Sequence, residues 1–232
     1  MKLLVTRPSL DAAPLAQALR DKGHEVVIAP LLEIVPRKSV AIPRLAFKAI
    51  CVTSANGIRV LDQTLPLDWP VFAVGAQSAA AAKAKGFTHV EAQGGDVDRL
   101  TAYIAKKLRP ADGPLLYISG AETSGDLEGQ LKDSGFEVHR AVTYDAVAQK
   151  LDAIAHEIPS SDGVLLYSPR TAKLWTNELA RLNLAIPDAH LLHFCLSAQV
   201  AAQLPQHWPA RVATRPTDAA LLSLLDLASK HH

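Results

Sequence analysis

The chain has 232 residues, of which 49% are apolar and 20% are charged. This composition is typical of a globular protein with a buried core and not of a disordered chain. Lysine plus arginine (24) nearly balances aspartate plus glutamate (23), so the broad positive field of a nonspecific nucleic-acid-binding protein is missing and we expect no nucleic-acid partner. No apolar stretch approaches the roughly 18 to 20 residues of a membrane span, and Met1 and Lys2 lead directly into a strand-like run. We therefore expect a cytoplasmic protein without a membrane partner.

Short runs rich in Val, Ile and Leu alternate along the chain with amphipathic stretches of helical length. The predicted strands are, in chain order, 3–7, 26–35, 49–54, 71–75, 89–93, 115–119, 137–147, 163–168, 190–197 and 211–216. An intervening helix is typified by residues 11–23, with Leu15 and Leu19 on its apolar face and Gly23 as its C-terminal stop. Continuous apolar strands that alternate with helices predict an α/β fold whose parallel sheets are covered on both faces.

The chain contains an internal repeat. Residues 3–35 align without a gap on residues 115–147, and ten of the aligned positions are identical, whereas unrelated segments of this length should match at only about two. A shorter echo aligns residues 51–61 with residues 165–175. The repeat predicts two similar lobes, and two similar lobes have a natural cleft between them.

Small and polar residues recur where a predicted strand ends and a helix begins. Ser54 and Ser168 are examples, and they occupy matching positions of the shorter echo. In open parallel sheets, ligands bind outside the carboxyl ends of the strands, beside helix N-termini whose free N–H groups suit anions. Helix capping alone explains any single one of these residues, but their recurrence in both halves favours a binding site at this edge.

Several cofactor and metal signatures are missing from the sequence. No Gly-x-Gly-x-x-Gly follows the first strand, and neither a Walker sequence nor a Gly-x-Ser-x-Gly elbow is present. Cys51 and Cys195 lie in apolar strand-like runs, which favours buried thiols, and His190 and His193 lack an evident third metal ligand. We therefore expect no metal and no cofactor. An enzyme with this sequence would act by holding its substrate and not through a reactive group of its own.

Six short motifs occur in a fixed order along the chain. They are TRP at 6–8, Pro30, TSANG at 53–57, AVG at 73–75 with Ser78 and Ala79 after it, VTY at 142–144, and SPRTA at 168–172. Each motif is weak alone. The ordered set, with this length and the doubled α/β pattern, resembles the uroporphyrinogen-III synthase family over essentially the whole chain.

The resemblance implies a cofactor-free lyase that acts on hydroxymethylbilane, a linear tetrapyrrole bearing many acetate and propionate groups. Such an enzyme expels the hydroxyl as water to give an azafulvene, then closes the ring through a spiro intermediate with inversion of the terminal pyrrole. An acid for the leaving hydroxyl is therefore the first requirement. The resemblance implies Tyr144 for this role, since it matches the tyrosine that is the favoured proton donor of the family. A phenol with an ordinary pKa of about 10 is protonated at neutral pH, as an acid must be. Tyr167 is the second candidate, and packing at a domain hinge is the alternative role for Tyr144.

The resemblance also implies a set of residues that bind substrate carboxylates through backbone N–H groups, hydroxyls and arginine charge. This set consists of Thr6, Arg7, Pro8, Thr53, Ser54, Ala55, Asn56, Ser78, Ser119, Tyr167, Ser168, Pro169 and Arg170. For either arginine, an exposed surface role is the alternative. The chain departs from the family pattern in three places: Ser78 replaces a threonine and keeps its hydroxyl, Ser197 and Val200 replace a glycine and a threonine, and the loop after Gly120 lacks the usual arginine.

The architecture implied by the resemblance is two flavodoxin-like lobes joined by two extended connectors with a cleft between them. The chain would leave the first lobe after its second strand, build the second lobe and return through the equivalent segment of the repeat. The predicted lobes are therefore residues 1–35 with 148–232, and residues 36–147. We expect a monomer that receives hydroxymethylbilane, with a transient hand-over from the upstream deaminase. Two other interpretations stay open, namely a non-catalytic binding or sensor module for a small anionic ligand and a nucleotide-using α/β enzyme.

Overall fold

The computed structural model describes residues 1–184 and 191–228, which form an α/β protein with two sheets. The strands are β1 Lys2–Val5, β2 Glu25–Ile28, β3 Leu32–Pro36, β4 Ala49–Val52, β5 Val71–Ala73, β6 Val90–Ala92, β7 Leu115–Gly120, β8 Val138–Ala148, β9 Gly163–Leu166, β10 Leu192–Cys195 and β11 Ala210–Val212. The α-helices are α1 Ser9–Asp21, α2 Ala55–Arg59, α3 Ala76–Ala84, α4 Val97–Lys107, α5 Leu127–Asp133, α6 Pro169–Arg181, α7 Ala198–Ala201 and α8 Asp218–Ala228. Two 3-10 helices cover Pro110–Asp112 and Asp152–Ser160. Within the described ranges, no helix has the length and apolar character of a membrane span.

The chain divides into two compact units. The first unit comprises Met1–Glu33 and the described residues from Val147 onward, and the second unit comprises Ile34–Ala146. One boundary falls inside β3 and the other inside β8. The prediction of one strand over 26–35 is wrong, because β2 and β3 are separate strands that belong to different sheets. Pro30 lies between them and has no N–H to donate to a ladder.

The sheet of the first unit has the strand order β11-β10-β9-β1-β2. Each neighbouring pair is parallel. Numbered within this unit, the order is 2-1-3-4-5, which is the flavodoxin-like order. Leu3 and Val5 of β1 pack into one buried cluster with Phe194, while Leu4 packs into another with Trp175. The sheet therefore buries both of its faces.

The sheet of the second unit has the order β3-β8-β7-β4-β5-β6. From β8 to β6 every neighbouring pair is parallel. All four residues of β4 are buried, with Ile50 and Val52 in one cluster and Ala49 and Cys51 in the other. Burial raises the pKa of the Cys51 thiol to about 12, so this free cysteine is a protonated core residue. The prediction of an α/β fold with largely parallel, doubly covered sheets is confirmed.

The two sheets use the sequence repeat reciprocally. β1 and β2 lie in the first copy of the long repeat, and β7 and β8 lie in the second copy. In the first unit β1 lies beside β9, whereas in the second unit β7 lies beside β4. Read from β2 and from β8, the orders β2-β1-β9-β10-β11 and β8-β7-β4-β5-β6 therefore match strand for strand. Apart from the edge strand β3, each sheet joins the strand pair of one repeat copy to three strands that follow the other copy.

His193, in β10 of the first unit, is a buried imidazole between aromatic rings. Its ring stacks on Trp208 with centroids 4.9 Å apart, and Trp175 lies edge-on to it at 6.4 Å. Nδ1 donates a hydrogen bond to the carbonyl oxygen of Pro209 at 3.1 Å, while the buried Nε2 has no hydrogen-bond partner in the described part of the chain. Protonation would create a buried N–H without an acceptor, and burial lowers the pKa from 6.5 to about 4.

The depressed pKa of His193 predicts a loss of stability on acidification. Below about pH 6.5 the His193 imidazole is protonated in the unfolded state, whereas in the folded state it stays neutral until about pH 4. The free energy of unfolding therefore falls as the pH falls through this range. Between pH 7 and pH 5 the expected loss from this group is about 2 kcal/mol. Urea unfolding at the two pH values measures it. His193→Gln, which cannot titrate, should show a smaller acid loss, and an equal loss in both proteins would contradict the assignment.

Candidate functional site

Each sheet has one point at which its chain connections diverge. In the second unit the chain continues from β4 to β5 on one side, while β7 continues to β8 on the other, and β4 and β7 are neighbours. In the first unit the corresponding neighbours are β1 and β9. In open α/β sheets the crevice outside the carboxyl ends of such strands is where ligands bind. Most of the predicted site residues lie at or beside these two places.

The first group lies in the second unit and centres on Tyr144 of β8. This side chain is 7% exposed, and its hydroxyl donates a hydrogen bond to Ser54 Oγ at 3.0 Å. Ser54 lies two residues after the end of β4 and is the N-cap of α2, where its Oγ accepts a hydrogen bond from the Asn56 backbone N–H at 3.3 Å. The predicted acid and a predicted hydroxyl ligand, far apart in sequence, are therefore in direct contact.

Gly120 at the end of β7 makes room for the phenol ring. A Cβ at this position would lie 2.6 Å from Cζ and 2.9 Å from the hydroxyl oxygen of Tyr144. The ladder between β7 and β8 is irregular between Ser119 and Gly120, and the Ala121 N–H donates to the Tyr144 carbonyl at 2.9 Å. The ring of Tyr144 thus rests on bare backbone, which only glycine provides.

Arg140 of β8 also holds the end of β7. Its Nε donates to Ser119 Oγ at 2.8 Å, and its Nη2 donates to the carbonyls of Gly120 at 2.8 Å and Ala121 at 2.9 Å. Ser119 is fully buried, and its hydroxyl donates in turn to the Gly120 carbonyl at 3.0 Å. The sequence-based prediction included Ser119 but missed Arg140. An arginine inside an apolar strand run was the signal that could have found it.

The remaining predicted residues of this unit lie at the same sheet edge. Thr53 Oγ1 is hydrogen bonded to the Tyr117 hydroxyl at 3.0 Å; burial raises the pKa of Tyr117, with the Thr53 hydrogen bond and the Arg140 charge opposing that rise. Ala55 and Asn56 are buried in the first turn of α2. Ser78 is buried in the first turn of α3, which follows β5, and no hydrogen bond places it against Tyr144.

The second group lies in the first unit, where β1 and β9 end. Arg7 stacks over the Tyr167 ring with Cζ 4.5 Å from the centroid, and its Nη1 forms an ion pair with Asp218 at 3.0 Å. Burial raises the pKa of Tyr167 far above its ordinary value despite the nearby Arg7 charge, so its phenol is protonated. Thr6 is fully buried and donates its hydroxyl proton to the Leu165 carbonyl at 2.6 Å.

Helix caps account for most of the other predicted residues of the first unit. Pro8 is the N-cap of α1 without a side-chain hydrogen bond. Ser168 caps α6 through a reciprocal pair of hydrogen bonds with Thr171, and Pro169 and Arg170 follow in the first turn. At the later repeat of the motif, Ser197 occupies the N-cap position of α7 without a side-chain hydrogen bond, and Val200 is buried in the core. A core valine explains why no hydroxyl contact is expected there.

No cluster of three or more His, Cys, Asp or Glu side chains within residues 1–184 and 191–228 is arranged to hold a metal ion. His190, half of the predicted histidine pair, lies outside the described residues. His193 is enclosed by Trp175 and Trp208. The two groups at the sheet edges therefore offer hydroxyls, amides, phenols and guanidinium groups, which suit acid catalysis and the binding of carboxylates.

Comparison with known proteins places the chain in a family. The family model for uroporphyrinogen-III synthase HemD matches residues 13–223. Among solved structures, uroporphyrinogen-III synthetase from Helicobacter pylori is similar with a TM-score of 0.67 and 17% identity, covering 98% of this chain and 100% of that one. A mutant uroporphyrinogen III synthase from the extremely thermophilic bacterium Thermus thermophilus is similar with a TM-score of 0.55 and 15% identity, covering 100% of both chains. These two likenesses support the fold.

No curated protein sequence matches the chain significantly. The family model nevertheless spans most of the chain, from the middle of α1 to the middle of α8. The predicted resemblance is therefore confirmed at the level of the family and of its enzymatic class. The chain belongs to the uroporphyrinogen-III synthase family of lyases that act in haem biosynthesis.

Proposed function

We propose that this family member dehydrates and cyclises hydroxymethylbilane to uroporphyrinogen III, with Tyr144 as the proton source. The observation that carries the residue assignment is the hydrogen bond of 3.0 Å from the Tyr144 hydroxyl to Ser54 Oγ at the point where the connections of β4 and β7 diverge. A phenol that donates to a half-buried serine at a ligand-binding edge is suited to delivering a proton.

The geometry suggests that the proton passes through Ser54. Because Ser54 Oγ accepts hydrogen bonds from both Tyr144 and the Asn56 N–H, its own hydrogen is free to point toward a third group. In the proposed step, Ser54 donates that hydrogen to the hydroxymethyl oxygen of the substrate and receives the phenolic proton of Tyr144. The carbon–oxygen bond breaks, water leaves, and the electron pair of the pyrrole nitrogen forms the protonated azafulvene, whose positive charge balances the Tyr144 phenolate. The proton that the product loses at ring closure then restores the phenol.

The ring-closing step depends more on how the protein orients the substrate than on a further catalytic group. Attack by the terminal pyrrole through its substituted carbon gives the spiro intermediate, and its rearrangement inverts that ring. The protein lowers this barrier by holding the carboxylates of the substrate so that the inverted orientation is the reactive one. We propose that residues of the predicted set hold these carboxylates, with Thr53 and Asn56 as the central ligands in the second unit. Ser54 is reserved for the proton transfer, and Ser119, whose buried hydroxyl is bonded to Arg140 and Gly120, fixes the end of β7.

In the first unit, some of the proposed substrate-binding side chains already have partners within the protein. Arg7 shares its charge with Asp218, and the Thr6 hydroxyl is committed to the Leu165 carbonyl. We propose that a substrate carboxylate binds Arg7 next to Asp218. We propose that Thr6 has a structural role, because its hydrogen bond to the Leu165 carbonyl ties the end of β1 to β9. The exposed Pro169 and half-buried Arg170 on the first turn of α6 complete this side.

We also propose that the two units are the two lobes implied by the resemblance, 1–35 with 148–232 and 36–147. The unit boundaries after Glu33 and Ala146 lie within two residues of those limits. A monomeric state, a cytoplasmic location and direct receipt of hydroxymethylbilane from the upstream deaminase complete the proposal, on the ground of family membership.

A coupled isomer assay tests the proposed function. Hydroxymethylbilane is generated by its synthase in the presence of this protein, the products are oxidised to porphyrins, and the isomers are separated chromatographically. Mainly isomer III is expected, because uncatalysed closure gives the non-inverted isomer I. Exclusive formation of isomer I at every protein concentration would overturn the synthase proposal and, with retained tetrapyrrole binding, would favour the non-catalytic binding module.

A further inference from the structure

We propose that Arg140 binds a carboxylate of the tetrapyrrole substrate, a role that rests on the proposed function and adds a ligand to it. The sequence offers no arginine in the loop after Gly120. The structure instead brings a guanidinium group to that loop from the neighbouring strand β8. The inference depends on three features of this side chain, namely its unused donors, its uncompensated charge and its position.

The donors of Arg140 are only partly used. A guanidinium group has five N–H donors, one on Nε and two on each Nη. Nε and Nη2 make three hydrogen bonds, to Ser119 Oγ and to the carbonyls of Gly120 and Ala121. Nη1 has no acceptor among residues 1–184 and 191–228. The three bonds fix the plane of the group, so its two remaining donors are held in place before any ligand arrives.

The charge of Arg140 is not neutralised by the described residues. All three of its acceptors are uncharged oxygens. By contrast, Arg7 is paired with Asp218 and Arg37 with Asp145. A half-buried cation without a counter-ion carries a desolvation cost that an incoming carboxylate would relieve. Bidentate recognition of a carboxylate is also the chemistry for which arginine is best suited.

The position of Arg140 connects it to the proposed reaction site. Its guanidinium holds the backbone of Gly120, on which the ring of Tyr144 rests. Its Cζ lies 5.8 Å from the centre of the Tyr117 ring, whose hydroxyl contacts Thr53. A carboxylate on Nη1 would therefore anchor the substrate at the sheet edge that carries Tyr144 and Ser54.

Binding of uroporphyrin III, a stable porphyrin with eight carboxylates, tests this role separately from catalysis. Arg140→Gln should weaken binding about 10- to 100-fold and reduce its salt dependence, because one charge contact is lost. The same variant should raise KM for hydroxymethylbilane more than it lowers kcat. Arg109→Gln is the matched control, since it removes the same charge from an exposed arginine of the second unit that pairs with Asp112; its affinity should stay within about twofold.

The outcomes separate this inference from the proposed function. Unchanged binding in Arg140→Gln, or a fall in kcat with unchanged affinity and salt dependence, would overturn the carboxylate role and leave only loop anchoring. Formation of isomer I alone by the wild type would instead overturn the synthase proposal. If Arg140→Gln does not fold, nitrogen-15 spectra of the wild type, assigned with Arg140→Lys, carry the test. The Arg140 guanidinium resonance should then shift on titration with uroporphyrin III, and a stationary resonance would overturn the role.

Discussion

Tyr144→Phe is expected to lower the turnover of hydroxymethylbilane to isomer III by about 100- to 1,000-fold, the usual contribution of a general acid. The substitution removes the hydroxyl that donates to Ser54 and keeps the ring that packs on Gly120. The protein should therefore stay folded, with a loss of about 1 kcal/mol from the single hydrogen bond. Steady-state kinetics with isomer analysis, together with thermal unfolding, measure both effects.

Two further variants test how specific the effect of Tyr144→Phe is. Tyr103→Phe removes a phenol hydroxyl from α4 of the same unit, where its partner is Glu91, and should leave turnover near the wild-type value. Ser54→Ala should match the loss of Tyr144→Phe, and the double variant should lose little more, because residues that pass one proton act as a unit. Turnover that is unchanged in Tyr144→Phe would remove Tyr144 from the acid role.

Gly120→Ala is expected to lower turnover by about 10- to 100-fold, since a displacement of the acid by even 1 Å can cost two orders of magnitude. The added Cβ would lie 2.6 Å from Cζ of Tyr144, so the ring must move away and its hydroxyl must leave Ser54. Overpacking of this kind also destabilises a protein by about 1 to 3 kcal/mol. Kinetics and urea unfolding of the variant measure the two losses.

Gly75→Ala is the matched control for Gly120→Ala. Gly75 also follows a strand of the second unit, but a Cβ there meets no atom within 4 Å. Its turnover should stay close to that of the wild type. A Gly120→Ala enzyme that is as active as Gly75→Ala would show that the close packing of Tyr144 on Gly120 is not needed for the reaction.

The fold was largely predictable because most of its strands can be recognised from the local sequence pattern. Apolar runs such as 49–54 and 163–168 predict the buried strands β4 and β9, and the alternation with helices predicts parallel sheets. The break at Pro30 was missed, because residues 26–35 read as one apolar run although β2 and β3 join different sheets. The sheet that a strand joins is decided by partner strands that are distant in sequence, and the local hydrophobic pattern does not indicate which strands those are.

The candidate site was predictable where its residues sit on short motifs at strand ends. Ser54 and Tyr144 were predicted separately, and the structure brings their hydroxyls to 3.0 Å. Arg140 could not be predicted in the same way, because its importance comes from the register in which β8 lies beside β7, where Arg140 pairs with Tyr117. Residue roles that arise from strand register become visible only when the sheet is assembled.

The reciprocal use of the repeat sets an order for folding during synthesis. The second unit is continuous in sequence, so all strands from β4 to β8 have been synthesised before β9. The sheet of the first unit cannot close until then, because the neighbours of β1 in that sheet are β2 and β9. Until β9 is available, β1 and β2 can therefore form only a two-stranded parallel pair in which the β9 side of β1 is unpaired, whereas the second unit already has all of its strands. A released chain that ends before Gly163 should contain a folded second unit and an N-terminal segment that proteases still cut.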